Sequence, residues 1–254
     1  VGTSEDGGLI FVTQAGTHEL SVIESKGLIE KLQSIPKTFE EAKAKGRVDP
    51  QGLYSSTTIV DVPNDLTFLV DLRRRVRLQR RWFAGAAPEG APTINGPRGM
   101  DVIGSKVYIA AYFSDLVAVV DLENKSYNPV IALRLAPEPQ MTQERLGEMY
   151  FHDANLCFQQ WQSCSSCHPN ARVDGLNWDL MNDGIGNPKN VRSMLLSHRT
   201  PPAMSSGVRE NAEEAVRAGI RHIQFAVRPE EDSVALDTYL KALEPVASPH
   251  LVDG

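Results

Sequence analysis

The 254-residue sequence is short of several things, and each shortage removes a class of protein. It has no run of eighteen apolar residues, so no membrane-spanning helix is expected, and no basic, apolar leader at its start. Basic side chains do not outnumber acidic ones: 26 Lys and Arg stand against 32 Asp and Glu, a net charge of -6, which makes nucleic acid an unexpected partner. Residues 1 to 140 carry 16 basic and 17 acidic side chains, and residues 141 to 254 carry 10 and 15, so the deficit falls on the second part. Paired carboxylates, a nucleophile elbow and a phosphate loop are all missing from residues 1 to 140, which argues against an active site there. Cysteine is scarce, with three residues, and only Cys164 and Cys167 form a close pair. A zinc finger needs a second ligand pair at finger spacing, and none is present. At 41% hydrophobic and 23% charged the composition is that of ordinary globular material, long enough for two packed domains.

What is there centres on Cys164-Ser165-Ser166-Cys167-His168. Cys-x-x-Cys-His is the attachment signature of a c-type haem. Two thiols three positions apart can reach the two vinyl groups on one edge of a porphyrin, and the following histidine supplies the proximal nitrogen to the iron. A thioredoxin-like redox pair would instead follow a strand in a βαβ unit, whereas Gln159-Gln160-Trp161 continues a helical pattern. Covalent haem is attached outside the cytoplasm, so a periplasmic or otherwise exported protein is expected, as a processed or truncated chain. Cys157 is read as a buried apolar filler without a role.

Residues 9 to 23 read as two strands of β-branched and aromatic residues around a turn at Ala15-Gly16-Thr17. A shift of 97 positions lays Ile10-Phe11-Val12 on Val107-Tyr108-Ile109 and Val22-Ile23 on Val119-Val120, which is an internal repeat. A weaker strand pair is placed between them, at Ser56 to Val62 and Leu66 to Leu78. That spacing is the period of β-propeller blades. Residues 25 to 50 form an insertion with a short surface helix, capped by Thr38 with Glu41 and stopped by Gly46. Arginines 73, 74, 75, 77, 80 and 81 form one charge run, whose bland reading is a solvated strand face and whose alternative is an anion or partner-docking patch. Gly85 to Pro97 reads as a loop, and Pro137-Glu138-Pro139 as the linker. With Pro97-Arg98-Gly99 leading into a "VYIA…VAVVD" hairpin, residues 1 to 135 resemble propeller repeats of the YVTN type. The resemblance implies incomplete propeller blades over residues 1–136, which further blades or another chain would close.

Residues 141–254 read as an all-α domain. Thr142 caps a helix from Arg145 to Trp161, the stretch Pro169 to Pro202 is a wrapped loop, Asn211 with Glu214 caps a helix to about Ala226, and Pro229 opens the last. The runs "RLGEMYFHDANLC", "CSSCHP", "NPKNVRSMLLSHRTPPAMSSG" and "NAEEAVRAGIRHI" together resemble the haem domain of bacterial di-haem cytochrome c peroxidases. The expected fold class is therefore multidomain β plus α, partial propeller blades followed by an all-α c-type cytochrome domain. Those peroxidases carry two haem motifs, and this sequence has one.

The metal ligands expected are His168 and one distal residue, for which Met204, His222, Met181 and His198 compete. His222 leads because Ala215, Ala218 and Gly219 precede it as a strip of small residues against which a flat ring could lie. The resemblance also implies a distal ligand within a turn of it. Met204, in the Pro201-Pro202-Ala203-Met204 loop, is the alternative, and a thioether ligand would raise the potential. Arg172, Arg192 and Arg199 are candidate propionate partners, because a guanidinium matches a carboxylate fork. The cofactor set is thus haem c with its iron, held by Cys164, Cys167, His168, His222 or Met204, Arg192 and Arg199. The function expected is electron transfer, with a redox partner protein or a small ligand docking on the propeller part. The alternative is an oxidoreductase of the peroxidase or oxidase kind, with a second haem supplied elsewhere.

Overall fold

The structure, a computed structural model, describes residues 1–48, 56–65, 67–78, 93–124, 129–137, 140–180, 186–247 and 250. It divides into two compact units, one of residues 1–14 and 18–137, the other of residues 15–17 and 138–254. The expected positions of Arg80, Arg81, most of the 85–97 loop and the Glu138-Pro139 part of the linker lie outside the described residues.

The first unit holds two four-stranded antiparallel sheets, each a simple up-and-down order. One is built from β1 (Gly2–Thr3), β2 (Leu9–Gln14), β3 (Glu19–Glu24) and β4 (Arg73–Arg77); the other from β5 (Pro97–Ile103), β6 (Lys106–Ala111), β7 (Leu116–Asp121) and β8 (Val130–Arg134). The repeat is present as structure, since 97 positions separate Leu9 from Lys106 and Glu19 from Leu116, the first residues of matching strands. Side chains alternate between faces along a strand. Phe11, Leu20, Val22 and Val76 therefore share one face of the first sheet, and Val107, Ile109, Ala118 and Val120 share the opposite face, by the repeat, of the second. These two faces meet in one buried core. Burying a side chain of this size contributes about 1.5–3 kcal/mol.

The propeller expectation is corrected here. The described residues of the first unit form two sheets and no closed ring, and the strand pair expected between them is not formed. Ile59–Asn64 is a 3-10 turn with Pro63 inside it, begun where Thr58 N donates to Asp61 Oδ2 at 2.7 Å. Asp65 then accepts from the Thr67 amide at 2.9 Å and from Ser56 Oγ at 2.6 Å. Such side-chain bonds offer the backbone an alternative to a ladder, and proline cannot donate to one. Of the described residues 67–78 only Arg73–Arg77 is a strand, and it completes the first sheet rather than starting another. Glu19, buried on β3, pairs with Arg75 and Arg77 at 3.5 Å each. The insertion carries α1 (Ser25–Ser34), which the sequence reading missed, as well as the expected α2 (Phe39–Ala44) with its Thr38 cap.

The second unit is not all-α, which is a second correction. It contains α3 (Gln143–His152), the single-turn α4 (Cys164–Cys167), α5 (Ala212–His222) and α6 (Glu230–Ala242), but also a two-stranded antiparallel sheet of β9 (Asn177–Trp178) and β10 (Lys189–Asn190) and several 3-10 turns. α3 stops at His152 instead of Trp161. The reason is Asp153, whose Oδ1 accepts from the Asn155 amide at 2.7 Å and starts a new turn, and Gln159, whose φ of 56° no helix continues through. α5 begins as expected, with the Glu214 amide donating to Asn211 Oδ1 at 2.8 Å. Phe151, Val216, Ile220, Leu236 and Leu240 bury against one another and close this unit's core.

Candidate functional site

The Cys-x-x-Cys-His run folds as one helical turn. Ser163 caps it, its amide bonded to Ser166 Oγ at 3.0 Å, and the His168 amide returns to Cys164 O at 3.0 Å. One turn places residues three apart on the same side. Cys164, Cys167 and His168 accordingly line one cavity, which encloses about 1450 Å³ of atom-free space, part of it open to solvent. Its walls are mostly apolar: Phe151 from α3, Ala215, Val216, Gly219 and Ile220 from α5, and Leu236 and Leu240 from α6 all face it.

Both thiols are free, and burial keeps them protonated, pushing Cys164 up to about 12 and Cys167 up to about 11. Gln224 Nε2 donates to Cys164 Sγ at 3.5 Å, and Cys167 Sγ lies 3.9 Å from Gln162 Oε1. Burial lowers the pKa of His168, which favours the neutral imidazole that a metal requires. Its Nδ1 lies 3.3 Å from Arg172 O. A proton held there on Nδ1 leaves Nε2 as the free lone pair.

Met204 lines the cavity from the segment after Pro202. Its backbone sits at φ 67°, ψ 176°, a region that residues with a Cβ rarely enter and that costs about 1–3 kcal/mol. His222 is exposed at the last position of α5 and does not line the cavity, although Ala215 and Gly219 of its small-residue strip do. The His198 side chain is buried and bonded to Asp237 Oδ1 at 3.1 Å, and it does not line the cavity. Met181 lies outside the described residues. Of the arginines, Arg192 lines the cavity, while Arg172 and Arg199 are exposed and do not. The sequence reading missed Gln162, Gln224, Trp178 and Lys189, all of which reach the wall. Trp178 is fixed by its Nε1 donating to Asp174 Oδ2 at 2.8 Å. No spacing rule marks these four: irregular chain brings in Gln162 and Gln224, and Trp178 and Lys189 come from two-residue strands too short to show a period.

The residues fit a flat, iron-bearing ring better than a bare ion. Among the described residues no group of three or more His, Cys, Asp or Glu is disposed to hold a metal ion. One histidine beside two thiols suits an iron whose other ligands come with a macrocycle. A β-carbon added at Gly219 on the cavity wall would meet nothing within 4 Å. Gln224 Oε1, in a side chain 3% exposed, has no hydrogen-bond partner.

Part of the chain is similar to a hydrazine synthase subunit. The match is to subunit gamma from Kuenenia stuttgartiensis, 33% identical over 117 residues, which are 41% of this chain and 33% of the relative. The chain thus spans about a third of the length of that curated relative. No protein-family model matches the chain. Among solved structures, Kuenenia stuttgartiensis hydrazine synthase pressurized with xenon at 20 bar aligns at 25% identity and a TM-score of 0.40, over 47% of this chain and 42% of that one. Among the described residues no helix is long and apolar enough to cross a membrane.

Proposed function

We propose that residues 141–254 form a module holding a single c-type haem and that it transfers electrons within a larger assembly of protein chains. The observation that carries this reading is the Cys164 to His168 turn opening onto a largely apolar cavity whose wall also bears Met204. Cys164 and Cys167 would hold the ring as thioethers, His168 would ligate the iron through Nε2, and Arg192 would meet a propionate. The haem iron, when bound, supplies a one-electron ferric and ferrous couple. The chain's own part is to shield the ring from water with Phe151, Leu236 and the α5 face, to hold His168 in one tautomer through Arg172 O, and to present Met204. The distal assignment turns to Met204 because His222 does not reach the cavity. The similarity to a protein named as a subunit supports protein partners. A covalent haem implies export from the cytoplasm.

A second reading keeps the resemblance to di-haem peroxidases, with the reactive haem on another chain. Two tests separate them. Redox titration of the isolated chain should show one electron per chain, and peroxide reduction with a small electron donor should stay near that of free haem. Turnover far above free haem in this chain alone, or uptake of two electrons, would replace the carrier by an enzyme.

A further inference from the structure

We propose that His198 is a positioning residue, which sets the Met204 segment against the cavity through its bond to Asp237 and is not itself a ligand; this rests on the haem reading above. Between Met194 and Arg209 the chain has no regular element longer than a single 3-10 turn. Yet Met194, Ser197, Ala203, Met204 and Val208 of this segment form part of the cavity wall. A segment without its own ladder keeps one position only when other elements hold it. At its ends the backbone does so. The Met194 amide donates to Ala171 O at 2.9 Å, and Ala203 and Arg209 form an isolated antiparallel bridge.

In between, the tie is a side chain. The His198 side chain is 4% exposed, and its Nε2 lies 3.1 Å from Asp237 Oδ1 on α6, in a side chain 6% exposed. The other oxygen of that carboxylate accepts from Arg217 Nη1 on α5 at 2.6 Å, and Arg217 also pairs with Glu230. The segment is thereby joined to α6 and through it to α5, the two helices that make the opposing walls. His198 Nδ1 faces Ser197 Oγ at 3.4 Å, so both ring nitrogens are engaged within the protein. Buried polar ties of this kind fix one arrangement, because the partner left behind would be a buried group without its bond. Here Asp237 keeps Arg217 when His198 is replaced, so the helices stay joined while the segment is released. Met204, six residues on and held at a strained φ, is the residue that would relax.

The test compares the haem-loaded wild type with His198→Leu, which removes the bond, and His198→Gln, which keeps a donor. Two readouts are taken: the spectroscopic signature of an iron-bound methionine, and hydrogen exchange at the Ala203 and Arg209 amides. In His198→Leu the amides should exchange about tenfold faster or more, with the methionine signature weakened, and His198→Gln should restore both. Wild-type behaviour in His198→Leu would overturn the proposal. So would failure of His198→Gln to restore either readout, since packing and not the bond would then set the segment. Faster exchange in a protein whose wild type shows no methionine signature would leave the anchor standing and remove Met204 as the ligand. Should His198→Leu not fold, His198→Phe, which keeps a ring and removes both nitrogens while leaving Asp237 with Arg217, carries the same comparison, with faster exchange expected and unchanged exchange overturning it.

Discussion

Replacing Met204 by alanine in the haem-loaded protein is expected to open the sixth position of the iron, shift it towards high spin and lower its potential. Replacing His222 by alanine should change none of these. The asymmetry follows from placement: Met204 is on the cavity wall, and His222 is exposed at the end of α5. A thioether favours ferrous iron and raises the potential, and axial ligands move haem potentials over a range of about 0.8 V. Losing one should cost on the order of 0.1 V, well above the error of a redox titration. The strain at Met204 points the same way, since a left-handed φ in a residue with a Cβ persists where surrounding structure enforces it. Absorption spectra of the two variants check it. A changed spectrum in His222→Ala with an unchanged one in Met204→Ala would reverse the assignment.

Gly147→Ala is expected to destabilise the second unit by about 1–2 kcal/mol net. Gly147 is buried where α3 packs on α6, and a β-carbon there would overlap Ala235 O and lie 2.6 Å from Ala235 C and 2.8 Å from Tyr239 Cβ. The neighbours are mostly backbone, which cannot swing aside. Alanine would gain about 1 kcal/mol of helix propensity over glycine, so the sign depends on which effect is larger. Overpacking of a tight core costs about 1–3 kcal/mol, and occasionally more when the backbone must move. The clash therefore wins, and each kcal/mol shifts the midpoint of a domain near this size by about 4–8 °C. A calorimetric scan of the variant checks it, and a midpoint equal to or above wild type would show that α3 and α6 are not so closely packed.

Local chemistry was legible in the sequence where a short stretch decides it. The 97-position repeat located β2, β3, β6 and β7, because the pleat writes its alternation into each strand. Thr38, Thr142 and Asn211 announced their helices, and each accepts a bond from the amide three residues on. The haem motif is equally local. What failed depended on competition or on distance. Asp61 and Asp65 drew the backbone into turns where a β-rich reading placed strands, and Asp153 ended α3 nine residues early. His222 was favoured because helical geometry names a face, but geometry along α5 does not say how wide a strip the cavity wall uses. Met204, Gln162 and Gln224 reach the cavity through irregular chain, whose path no periodicity records. His198 and Asp237 meet across 39 residues, and nothing near either one signals the other.

The most direct measurement is the intact mass of the denatured chain after expression in a host that attaches haem to exported proteins. The account predicts the polypeptide plus one haem in the wild type, and the bare polypeptide when Cys164 and Cys167 are both replaced by alanine. A wild-type chain that carries no added mass under those conditions would contradict it.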